Sequence, residues 1–189
     1  MLRIGVIGAG GMGKKYINEI ASGNIPNMTL TAICTRTEST LATLKQTLHI
    51  PFTPYTDYRQ LITSGKVDAV LIVTPHLSHP EITAYALSHD VHVLCDKPVA
   101  VTTADARQVD TLAQAKPHLK YGVIFNQRTH VAYLKIKALI ESGELGQLQR
   151  VNLCVTNCTA PTVIIKMCRG VGLTKQTAVG YSSTKPHII

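Results

Sequence analysis

Six residues constrain this chain more than any others. Gly8-Ala9-Gly10-Gly11-Met12-Gly13 sets glycines at the first, third and sixth positions of one turn. The run before it, 2–7, reads as a buried strand, and after it Tyr16, Ile17, Ile20 and Ala21 recur at helical spacing. A strand, this turn and a helix are what a dinucleotide needs. The first glycine makes the tight turn, the second lets the backbone approach a pyrophosphate, and the third lets helix and strand pack closely. The helix N-terminus then offers free N–H groups and the positive end of its dipole to the phosphates. Glycines at this spacing also occur in plain turns, and the flanking strand and helix are what favour the dinucleotide. Gly8, Ala9, Gly10, Gly11, Met12 and Gly13 are all candidate cofactor contacts.

The alternation continues. Strands are expected at 30–34, 67–73, 91–95 and 121–125, with helices opening at Thr37 and covering 80–88 and 103–115. The 67–73 run (Val-Asp-Ala-Val-Leu-Ile-Val) ends with no polar face, as in a strand covered on both sides. Strands alternating with helices imply an α/β fold, a doubly wound parallel sheet of the Rossmann type. After Phe125 the pattern changes to an amphipathic helix at 131–142 and an alternating run at 148–156 that suggests a strand. The expected organisation is a dinucleotide-binding domain at 1–125, the start of an incomplete α/β C-terminal domain at 126–157, and a tail at 158–189.

Composition narrows the function classes. Hydrophobic residues make up 45% and charged residues 16% of the 189, and mean hydropathy is +0.13, which is globular rather than disordered. The net charge of +8 does not form a nucleic-acid surface. Residues 158–189 hold four of the 19 Lys/Arg and no acid, and the rest is scattered without a basic stripe. Five cysteines in an odd set without Cys-x-x-Cys spacing suggest reduced thiols and no metal site. No apolar run is membrane-long and no signal-peptide layout is visible, so a cytoplasmic address without membrane partners is expected.

Three strand ends carry candidate site residues. In an open parallel sheet the ligand lies outside the carboxyl ends of the strands. After the 30–34 strand the chain reads Cys34-Thr35-Arg36-Thr37, with no carboxylate for a ribose diol until Glu38. A hydroxyl followed by Arg suits a 2′-phosphate, so NADP is preferred over NAD, with Thr35 and Arg36 as contacts. Thr74, Pro75, His76 and His79 follow the next end, although loop histidines are often merely exposed. Asp96-Lys97-Pro98 follows the third, and the proline argues for a fixed backbone around Lys97.

Taken together, the glycine turn, Thr74-Pro75, Asp96-Lys97-Pro98, Asn126-Gln127-Arg128-Thr129 and the run from Leu139 to Gly146 resemble the Gfo/Idh/MocA oxidoreductases over residues 1 to about 157. The resemblance implies a Rossmann domain joined to a C-terminal α/β domain, and hydride transfer between a sugar or polyol carbon and NAD(P). It implies that Lys97 lies near the nicotinamide and the reacting hydroxyl, where it would help move the alcohol proton. Asp96 stands where the family has Glu. Asn126, Arg128, Lys97 and Pro98 would line the cofactor cleft, and the full-length family member would form a homo-oligomer. Two other readings stay open: a non-catalytic dinucleotide-binding module or redox sensor, and another Rossmann reductase resembling dihydrodipicolinate reductase. The run from Asn126 to Gly146 argues against the last.

The resemblance stops after Asn157. Family members continue with Trp-Arg-Gly-Thr, a triple glycine and Asn-Gln-Ala-Pro-His. One base lost at the codon of Cys158 accounts for the difference. Gly170-Val171-Gly172-Leu173, read one base back, can encode Trp-Arg-Gly-Thr. Ala178-Val179-Gly180 can encode the three glycines, and Thr184 to Ile188 can encode Asn-Gln-Ala-Pro-His. The expectation is an out-of-frame tail, a chain truncated relative to the family, and impaired catalysis. The nucleotide sequence around codon 158 checks it. A single-base repair should restore a long oxidoreductase frame, and the absence of any such repair ends the idea.

Overall fold

In the computed structural model the described residues are 1–152, and they divide into a unit Met1–Asn126 and a second unit beginning at Gln127. The expected tail at 158–189 lies outside the described residues. In the first unit six strands alternate with five helices: β1 Leu2–Ile7, α1 Gly11–Ala21, β2 Met28–Cys34, α2 Glu38–Thr47, β3 Thr53–Tyr55, α3 Tyr58–Thr63, β4 Ala69–Ile72, α4 His79–Ser88, β5 His92–Asp96, α5 Thr103–Gln114 and β6 Tyr121–Ile124. A single 3₁₀ turn, His76–Ser78, leads into α4.

All five neighbouring strand pairs are parallel, in the order β3-β2-β1-β4-β5-β6. The chain therefore moves outward from β1 in one direction, returns, and moves outward in the other. The reversal lies between β1 and β4, which is where such sheets bind ligands.

The strands are apolar because both faces are covered. On one face Ile4 and Val6 of β1 and Leu71 of β4 pack with Ile17 and Ile20 of α1 and Leu41 and Leu44 of α2. On the other, Ile7, Val70, Ile72, Val93 and Cys95 pack with Leu61 and Ile62 of α3 and Ile82, Ala86 and Leu87 of α4. Leu112 and Ala113 of α5 pack onto this second cluster. The register of β1 on β2 shifts between Ile4 and Gly5, so Thr31 is the extra residue of a bulge. Its hydroxyl donates to the Lys66 carbonyl at 2.9 Å. The bulge lets Leu30 and Ile33, three residues apart, serve the same face.

β3 and α3 have no counterpart among the sequence expectations. Three residues with Pro54 among them make an edge strand. α3 has six residues, started by Asp57, whose carboxylate accepts from the Arg59 N–H at 2.9 Å. In the second unit α6, Val131–Glu141, follows the expected helix. Residues 148–152 form no strand, and 153–156 lie outside the described residues. Alternation supplies a strand with a face but not with a partner. Among the described residues no helix is long and apolar enough to cross a membrane.

Leu61 is fully buried and its Cδ2 sits 2.7 Å from where a Cβ on Gly5 would be. Its short helix thus rests on β1 at a point where a Cβ would have to displace the Leu61 and Val67 side chains. Leu61→Ala is expected to destabilise the chain by about 2–5 kcal/mol, read from the shift of a urea unfolding curve.

Candidate functional site

The site is built from the carboxyl ends of β1, β2, β4 and β5. β1 delivers the glycine turn, and its three key glycines differ in what constrains them. Gly8 has φ +104°, and a Cβ there would run into the Val73 carbonyl. A Cβ on Gly13 would overlap the Gly8 carbonyl oxygen. These two are glycine because of the fold itself. A Cβ on Gly10 or Gly11 meets nothing within 4 Å. Gly10 is extended, at φ −71° and ψ −167°, a conformation any residue adopts. The protein's own packing therefore does not explain Gly10. Open space above a helix start is what a bound pyrophosphate fills.

α1 begins there with neither a side-chain cap nor an acidic residue in its first turn. Its opening N–H groups and its dipole face outward without an internal anion. Met12 is exposed beside them, and Ala9 is buried in the core cluster beneath the turn. At the end of β2 the Thr35 N–H donates to the Tyr55 carbonyl at 3.0 Å, which ties this end to β3. Arg36 is exposed, and its guanidinium has no hydrogen bond or ion pair among the described residues.

At the end of β4, Thr74 is half-buried and Pro75 and His76 are exposed. The Ser78 hydroxyl lies 2.7 Å from Thr74 Oγ1 and 2.8 Å from the Pro75 carbonyl, which pins the turn. His79 is set differently from the other candidates. It is 0% exposed, with Nδ1 2.7 Å from the Pro98 carbonyl oxygen and Nε2 2.8 Å from that of Thr74. Its ring is spent on the two loops and presents no free nitrogen to a ligand. At the end of β5, Asp96 accepts from the Lys97 N–H at 2.9 Å, and the Lys97–Pro98 peptide is cis. Lys97 is exposed, and its ammonium has no partner among the described residues.

The closeness of these ends perturbs two side chains. Partial burial, then the neighbouring His79 and the Lys97 ammonium, hold His76 below its ordinary value of 6.5. Partial burial, then the Asp96 carboxylate, raise the Tyr16 phenol. Tyr16 of α1 thus feels the end of β5, a relation its place in an aliphatic stripe does not reveal. Ser78 was likewise invisible as a site residue in the sequence, since a serine before a helix reads as a cap. Asn126 closes the first unit, just after β6, and Arg128 belongs to the second. Deep in the sheet, burial pushes the thiols of Cys34 and Cys95 up to about 12.

The family model described as "Oxidoreductase family, NAD-binding Rossmann fold" matches residues 2–125. Among curated relatives, the inositol 2-dehydrogenase of Corynebacterium glutamicum (strain R) is 31% identical over 150 residues, which is 78% of this chain and 43% of that enzyme. That of Salmonella paratyphi B is 28% identical over 146 residues, 77% of this chain and 43% of that enzyme. Among solved structures, myo-inositol 2-dehydrogenase from Lactobacillus plantarum superposes with a TM-score of 0.74 at 27% identity, over 78% of this chain and 43% of that one. Scyllo-inositol dehydrogenase from Lactobacillus casei, solved with NAD(H) and scyllo-inositol, gives 0.74 at 25% identity over the same shares. The chain therefore spans under half the length of these relatives.

A ring that holds its proton less tightly when folded adds stability above the unfolded value and loses it as pH falls through the folded one. An NMR titration of the His76 ring is expected to show a midpoint below 6.5, and Lys97→Ala is expected to move that midpoint upward.

Proposed function

We propose, from the premise that this chain belongs to the Gfo/Idh/MocA oxidoreductase family, that residues 1–126 hold the coenzyme half of a polyol dehydrogenase, with NADP preferred over NAD. The observation that carries the coenzyme reading is Gly10. A Cβ on it would meet no protein atom within 4 Å, and the space it leaves lies at the start of α1, which no side chain caps. The nicotinamide, when bound, supplies the acceptor or donor of a hydride.

The chain's own residues do the rest. The first N–H groups of α1 hold the pyrophosphate, and Gly8 and Gly13 fix the turn that aims them. Arg36, exposed and unpaired, meets a 2′-phosphate beside Thr35, where a carboxylate would instead favour the free diol. Thr74, Pro75 and His76 border the nicotinamide half from the end of β4. Lys97 brings an unpartnered ammonium from the end of β5, where it orients the reacting hydroxyl and takes part in its proton transfer. Asn126 extends the same row of strand ends, and Arg128 follows it in sequence. The polyol class rests on the inositol dehydrogenases among the relatives. Since the chain spans 43% of their length, turnover belongs to a protein that also carries the remainder.

Calorimetric titration of the chain with NADPH and NADH tests this. Both should bind, NADPH more tightly. Arg36→Ala should weaken NADPH by about tenfold and spare NADH, on the scale of one charge-assisted contact. Gly10→Ala should weaken both while lowering the Tm by no more than the N-cap preference for glycine over alanine, because its methyl meets no protein atom within 4 Å. No heat with either coenzyme removes the proposal.

A further inference from the structure

The pairing of β4 with β5 ends at Ile72 and Cys95. Beyond that point the two chains leave the ladder, and the carbonyls of Thr74 and Pro98 have no strand partner to join them. The His79 ring lies between them. It is fully buried, with one ring nitrogen 2.7 Å from Pro98 O and the other 2.8 Å from Thr74 O. Both partners are acceptors only, so a singly protonated ring donates to one of these loops and abuts the other, and a doubly protonated ring donates to both. The ring also packs edge-on against His76, with centroids 5.8 Å apart at 63°. One side chain thus touches the Thr74 backbone, the His76 ring and the backbone next to Lys97.

We propose that His79 is the positioning residue of the nicotinamide half of the site. It acts as a side-chain rung that continues the β4–β5 pairing past the sheet and holds the Thr74–His76 and Lys97–Pro98 segments at a fixed separation. The sheet order confines its reach. The turn after β1 and the end of β2 serve the pyrophosphate and the adenosine ribose, and β4 and β5 lie on the opposite side of the reversal. Loss of the rung therefore loosens one half of a bound dinucleotide and spares the other. A residue that merely stabilised the fold would weaken both halves together.

This inference rests on the coenzyme reading, and two ligands separate the two. ADP carries the adenosine and pyrophosphate only, whereas NADH carries the nicotinamide riboside as well. Their Kd values are measured on the full chain, on His79→Phe, which keeps a buried ring without its nitrogens, and on His79→Gln, which keeps a donor and an acceptor. In His79→Phe the NADH Kd should rise about tenfold while the ADP Kd stays within about twofold, the scale set by one or two lost hydrogen bonds. His79→Gln should recover part of the NADH affinity. If His79→Phe does not fold, the same comparison on His79→Gln decides, with a smaller NADH-specific loss expected. Parallel loss of ADP and NADH, or no loss of either, overturns the positioning role alone. Failure of the unsubstituted chain to bind NADH overturns the coenzyme reading and this inference with it.

Discussion

The contact on which the rest depends is the one between the Gly13 α-carbon and the Gly8 carbonyl. No side chain fits there. That closeness seats the first turn of α1 directly over the end of β1, so Ile17 and Ile20 reach the sheet and become part of its core. It also fixes the direction of α1, and with it the direction in which the opening N–H groups point. Gly8, at φ +104° against the Val73 carbonyl, locks the same turn to the end of β4. The glycines at either end of the motif serve folding, and a Cβ on the glycine between them would meet no protein atom within 4 Å.

The rest of the site follows from topology. A parallel sheet places every strand's carboxyl end on one edge, so residues far apart in sequence arrive together without contacting one another elsewhere. Arg36, His76 and Lys97 come from three different strand ends, and all three are exposed. Of the acids that follow the strand ends, Asp96 is turned to the backbone N–H of Lys97. Partial burial, then the neighbouring His79 and the Lys97 ammonium, make the His76 ring less readily charged.

Much of this was legible from pattern alone, and the exceptions share a cause. The long strands and helices announce themselves through runs of Val, Ile and Leu at fixed spacing, as in β4 and α2. β3 and α3 are too short for a period to show, and Pro54 inside β3 speaks against a strand until its edge position is known. The expectation of strand from Leu148 onward used the same periodicity, but a face without a partner forms no ladder, and residues 148–152 are not in one. At the site, the glycine turn and the strand-end residues could be named because their chemistry is local. His79 could be named but not understood. Its burial and its two carbonyl neighbours come from a helix start and from a loop 19 residues away, and no local pattern records that.

Cys34 and Cys95 extend the same logic to reactivity. Each sits at or near the carboxyl end of its strand, under the edge that carries the candidate site, yet each points into the core and resists ionisation there. Alkylating reagents and peroxides act on thiolates that solvent can reach, and neither condition holds while the sheet is closed. Modification at these two sulfurs therefore keeps time with opening of the sheet, which makes them internal clocks for the moment the Rossmann unit comes apart.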